Sequence, residues 1–167
     1  MTRQKAAVTA VAAAVAAATV DSRPCGSIIN AADTAARALK GLEAVEILQL
    51  RWNNEDDIAN LTFGHTRTFD YIVASDCLFF EEFCDHFISV LHRVLSPRGT
   101  IYLMQPRRGG SMNRFISKAA LLFNIEENEE YFAEVAIKRR EQQLLEKNNF
   151  YNDDVHFPIL LVLTHKK

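Results

Sequence analysis

Residues 69–108, FDYIVASDCLFFEEFCDHFISVLHRVLSPRGTIYLMQPRR, constrain the fold of this chain more than any other stretch. Ile72, Val73 and Ala74 make a short apolar run that ends at Asp76, and residues 100–104 make a second. Short apolar runs bounded by turn signals suit strands buried on both faces of a parallel sheet. Between them, Phe83, Phe87, Val90, Leu91, Val94 and Leu95 recur at helical spacing, with Glu81, Asp85, His86 and Arg93 off that stripe. Ser96-Pro97-Arg98-Gly99 predicts a tight turn that ends the helix and returns the chain to the sheet. The unit is a strand–helix–strand crossover, and ligands of such sheets sit at the carboxyl ends of the strands. Asp76 stands there, which makes it the first candidate for a functional carboxylate. The plain alternative is a strand-end cap.

A length of 167 residues suits one domain, residues 1–167, with enough chain to bury a core. The net charge of −2 gives no electrostatic reason to expect nucleic acid as a partner. Cys25, Cys77 and Cys84 form no CxxC pair, and the five histidines show no metal-ligand spacing, so no metal is expected. The amino terminus leaves several readings open. A basic start followed by the alanine-rich residues 6–20 suits a helix packed on the sheet by Val8, Val11 and Val15. It also suits a secretory signal with a cleavage-like Ala16-Ala17-Ala18, or an organelle-targeting segment. It is too short for a membrane span, which needs about 20 apolar residues, and no membrane partner is expected.

Residues 25–39 read as a helix with Ile28, Ile29, Ala32, Ala35, Ala36 and Leu39 on its apolar side. Residues 45–52, VEILQLRW, alternate as a strand, and Trp52 at its end is either a core aromatic or a ligand-stacking surface. The acidic residues 53–57 are a loop or a helix start. Beyond the second apolar run, Ser111 is a plausible N-cap for a helix buried through Met112, Phe115, Ile116, Ala119 and Leu122. Residues 123–125 suit a short strand. Residues 131–147 suit a charged helix anchored by Phe132, Val135, Leu144 and Leu145, with Lys138-Arg139-Arg140 as its solvated face. Residues 156–164 make a closing strand, expected antiparallel. The fold class is α/β.

Asp76-Cys77-Leu78-Phe79, an acid, two spacers and an aromatic at a strand end, resembles the signature of the seven-β-strand class I protein-lysine methyltransferases. Three further stretches, residues 50–55 (LRWNNE), 106–109 (PRRG) and 156–164 (HFPILLVLT), are similar to the calmodulin-lysine N-methyltransferase family. The resemblance runs from about residue 45 to residue 164 and implies a Rossmann-like sheet. It implies transfer of methyl groups from S-adenosylmethionine to a lysine ε-amine of calmodulin or another acidic protein, in the cytoplasm or the nucleus. It further implies that Asp21 holds the cofactor ribose and Trp52 lies against the adenine. Asp76 and Phe79 border the methyl donor and the entering lysine, and Arg107 and Arg108 dock the protein substrate.

Two features separate the chain from the pattern it resembles. Gly26, Gly41, Gly64, Gly99, Gly109 and Gly110 include no GxG after an early strand, so the glycine-rich cofactor loop is missing. The first, central strand is missing with it, which predicts an incomplete sheet: the strands close up differently, the alanine-rich segment fills the gap, or the chain is amino-terminally truncated. An inactive, methyltransferase-like interaction protein is therefore the alternative to an active transferase. A nicotinamide oxidoreductase requires GxGxxG, which is absent. A cysteine hydrolase lacks a histidine partner, and buried structural thiols explain Cys77 and Cys84 more simply.

Overall fold

A computed structural model describes residues 11–12, 48–64, 66–78, 81–145 and 150–167. The first apolar run forms β2 (Phe69–Ser75) and the second lies in β3 (Leu95–Gln105), with Ile72 opposite Ile101 and Ala74 opposite Leu103 in parallel register. Between them a 3₁₀ turn (Glu81–Phe83) leads into α2 (Cys84–Val94), which buries Phe87, Ile88, Val90, Leu91 and Val94. The expected crossover is present.

Its return differs from the expectation. Residues 96–99 are not a turn but belong to β3, which starts directly after α2 because Leu95 is already extended (φ −75°, ψ 133°). Phe69 pairs with Leu95 and Tyr71 with Thr100, so Asp70 alone faces residues 96–99 in a bulge. The Ser96 hydroxyl donates to Asp70 Oδ1 at 2.8 Å across it. Gly99 fits because a Cβ there would lie 2.6 Å from Leu95 Cδ1 and 2.9 Å from the Phe69 carbonyl.

β5 (Ile159–His165) runs antiparallel to β3, as expected of the closing strand, and also to β4 (Phe123–Asn128). β1 (Val11–Ala12) pairs in parallel with Ile72 and Val73, giving the order β1-β2-β3-β5-β4. The helix expected over the alanine-rich segment is therefore corrected at residues 11 and 12, where ladder pairing with β2 overrides alanine's helix preference. The helix expected over residues 25–39 lies outside the described residues. One sheet face, carrying Ile72, Ala74, Ile101, Leu103, Leu161 and Leu163, joins the core with α2 and α3 (Ser111–Ala119). On β2 the alternate residues Tyr71 and Val73 are exposed, and Tyr71 stacks on Tyr102 at 6.5 Å.

Three further expectations are corrected. Residues 48–51 form no strand, because the Arg51 N–H and guanidinium are committed to the Asp57 carboxylate at 2.8–3.0 Å. Asp57 sits in the first turn of α1 (Glu55–Leu61), where the Asn54 side chain caps its N–H. The residue before α3 is Gly110 (φ 85°) rather than Ser111, whose hydroxyl instead turns back to the Arg107 carbonyl. In α4 (Ala133–Leu144), Phe132, Leu144 and Leu145 are exposed instead of anchoring the helix. Arg139, expected on a solvated face, supplies the anchor: it lies 3.7 Å over the Phe157 ring and bonds Glu129 and Asp153.

Candidate functional site

Parallel strands end together, so the carboxyl ends of β2 and β3 bring Asp76 beside the turn that follows Gln105. The Asp76 N–H donates to the Met104 carbonyl at 2.9 Å, which extends the ladder by one residue. There the chain leaves the sheet sharply: Asp76 has φ 50°, a region that costs a non-glycine residue about 1 kcal/mol or more. Its carboxylate is half exposed, and Oδ2 accepts from Arg108 at 2.9 Å. Arg108 also has positive φ, 43°. Its N–H donates to the Asp154 carbonyl at 2.7 Å, and the Gly109 N–H donates to Asp154 Oδ2 at 2.8 Å. The short helix α5 (Asp153–His156) thereby holds the turn that presents Arg108 to Asp76.

Arg107 faces elsewhere. It bonds Glu129 at 3.1 Å and lies 3.7 Å from Glu127, at the end of β4. Two adjacent arginines grouped together by sequence thus have separate partners, and only Arg108 joins the candidate carboxylate. Arg107 and Arg139 both bond the Glu129 carboxylate and hold it below the usual carboxylate range, Arg139 contributing more.

Trp52 lies on Phe87, with ring centroids 4.4 Å apart. With Leu50, Leu61, Ala74 and Val90 it borders an apolar cleft of about 30 Å³. Small-molecule sites span about 300–1,000 Å³, at least roughly ten times more. The cleft as it stands therefore admits no purine, and Trp52 packs between α2 and the sheet, beneath the strand that ends at Asp76. Asp21 and Phe79, the other expected site residues, lie outside the described residues.

Sequence reasoning passed over Gln105. Its side chain is fully buried at the end of β3, and Oε1 accepts from the Cys77 N–H at 3.0 Å and the Leu78 N–H at 3.2 Å. The available signal was a polar residue closing the apolar run 101–104. Burial also pushes the Cys77 thiol up to about 12, so it stays a neutral thiol rather than a nucleophile. Among the described residues, no group of three His, Cys, Asp or Glu side chains is placed to hold a metal ion, and no helix is long and apolar enough to cross a membrane.

A mixed sheet with a parallel crossover, an acid at the carboxyl end of its strand and an antiparallel closing strand is consistent with the class I methyltransferase fold. The model of the lysine methyltransferase family matches residues 25–121, and the chain belongs to that family. It is also 31% identical, over 75% of its length, to the calmodulin-lysine N-methyltransferase of Arabidopsis thaliana. The chain spans 41% of that relative's length.

Proposed function

We propose that this chain carries part or all of an S-adenosylmethionine-dependent protein-lysine methyltransferase, with residues 1–167 as one domain and calmodulin or another acidic protein as substrate. The observation that carries the reading is Asp76: a half-exposed carboxylate at the carboxyl end of a parallel strand, in a chain of the lysine methyltransferase family. The calmodulin preference rests on one relative matched over 41% of its length. A cytoplasmic or nuclear location belongs to the same proposal.

S-adenosylmethionine, when bound, supplies an electrophilic methyl group on a sulfonium. The fit of this chain to it is uneven. An exposed carboxylate suits the cationic methionine end, so Asp76 is the residue to hold or face it. Trp52 offers an aromatic surface for adenine, but only after the side chains around its cleft part. Alignment and desolvation are the chain's main contributions to an in-line methyl transfer. A lysine amine must be neutral to attack, although its free pKa is about 10.4, and apolar surroundings penalise the ammonium. Leu78, buried two residues beyond Asp76, supplies such surroundings. The resemblance assigns Phe79 to the same role, as an aromatic whose face attracts methylated ammonium. Arg107 and Arg108 remain the proposed docking cations, which requires an acidic partner to compete with Glu129 and Asp76.

A non-catalytic reading is favoured by one feature, the lack of any GxG turn among the six glycines. Cofactor binding separates the two. Titration of S-adenosylmethionine into the folded chain, followed by calorimetry and by the fluorescence of Trp52, its single tryptophan, is the test. Binding weakened by Asp76→Ala supports the transferase. No binding by a folded chain supports the interaction protein.

A further inference from the structure

We propose that Gln105 is the positioning residue for Asp76, Cys77 and Leu78, setting their backbone from the neighbouring strand. Functionally the inference rests on the transferase reading above; geometrically it stands by itself.

Asp76 leaves β2 with positive φ, and the next two N–H groups point at a single acceptor, Gln105 Oε1, at 3.0 and 3.2 Å. Successive N–H groups that converge in this way form a concavity with positive potential, of the kind that elsewhere binds anions. Here a neutral side-chain carbonyl from β3 fills it. Gln105 Nε2 donates in turn to the Pro106 carbonyl at 3.2 Å, which fixes the amide's orientation. No part of the side chain reaches solvent, so water cannot replace it, and buried N–H groups left unpaired are costly.

The end of β3 is placed for this task. Met104 holds the Asp76 N–H, and Gln105, the next residue, holds the following two. Arg108, three residues further on, holds the carboxylate. Three points on one segment therefore set where Asp76 stands, and Gln105 is the buried side chain among them. Arg108 is partly exposed and acts on the carboxylate rather than on the backbone. Gln105 is fully enclosed and accepts from both N–H groups, so it sets the path of the chain directly after the acid.

The test compares wild type with Gln105→Met, which keeps the volume and removes the acceptor, and with Gln105→Glu, which keeps an acceptor of equal reach. Amide hydrogen exchange is read at Cys77 and Leu78 against the core amides of Leu161 and Leu163, together with S-adenosylmethionine affinity. In Gln105→Met, exchange at Cys77 and Leu78 should rise at least about tenfold while the core holds, as expected when a buried acceptor is lost. Gln105→Glu should return most of that protection, and affinity should weaken and recover in parallel. Unchanged protection, or a loss spread equally over Leu161 and Leu163, overturns the proposal. Wild type that binds no cofactor overturns the transferase reading instead, and the exchange data still decide whether Gln105 sets the segment.

Discussion

Asp76 and Arg108 both stand at positive φ, 50° and 43°, and meet in an ion pair of 2.9 Å across the carboxyl ends of β2 and β3. Two residues outside their preferred backbone region are thus held against each other, and Arg108 Nε is buried with no partner among the described residues. Such arrangements persist when the surroundings over-determine them. Here the surroundings are the Met104 carbonyl and Gln105 on one side and Asp154 on the other.

Asp76→Asn should leave the fold intact. The pair is half in solvent, where ion pairs contribute about 0–1 kcal/mol, and Asn tolerates the left-handed region. Stability by urea denaturation should change by less than about 1 kcal/mol, while cofactor affinity falls about tenfold or more through loss of a charged contact. A stability loss above about 3 kcal/mol would identify Asp76 as a structural cap instead.

Gly99→Ala tests the bulge that replaces the expected turn. The new methyl would meet Leu95 Cδ1 and the Phe69 carbonyl, the latter being backbone that cannot swing aside. A destabilisation of about 1–3 kcal/mol is expected in the urea midpoint. An unchanged midpoint would mean that β3 does not approach Phe69 as described.

Arg139→Ala should make stability less sensitive to acid. Hydrogen bonding to Arg139 holds Asp153 and Glu129 below their usual range. A lowered folded-state pKa adds stability that is complete above the unfolded value, near pH 4, and is lost as pH falls through the folded value. At pH 7 the substitution should cost about 1–2 kcal/mol, with the ion pairs discounted for solvent screening and the contact with Phe157 included. Below about pH 4 the gap between variant and wild type should narrow. A gap that stays constant from pH 7 to pH 3 would assign the whole effect to packing.

Cys77 and Cys84 should resist thiol reagents in the folded chain. Burial raises both thiols, Cys77 to about 12, so almost no Cys77 thiolate is present at pH 8. In a Cys25→Ser chain, labelling should begin only when denaturant is added. Rapid labelling of Cys77 in buffer would show that the segment held by Gln105 opens.

The crossover was legible because Phe87, Val90, Leu91 and Val94 repeat at helical spacing between two apolar runs, and spacing is a local property. Asp76 followed from it, since the end of a parallel strand is itself a topological position. Trp52 was harder to place: an aromatic near an acidic loop reads equally well as ligand surface or core, and its contact with the Phe87 ring shows only in the tertiary structure. Over the described residues 48–51 the expected strand is absent, because Arg51 finds a nearer partner in Asp57 than any ladder could offer.

What the sequence alone determined was the α/β class, the central strand–helix–strand unit and the resemblance to lysine methyltransferases, all carried by residue order and period. The tertiary structure decided which arginine meets Asp76, that Arg139 anchors α4, and that Gln105 holds the segment after β2. Each of these joins residues at least 10 positions apart, and for Gln105 the separation is 27 and 28. Sequence period encodes which face a side chain takes, whereas the partner found on that face depends on how distant strands are brought into register.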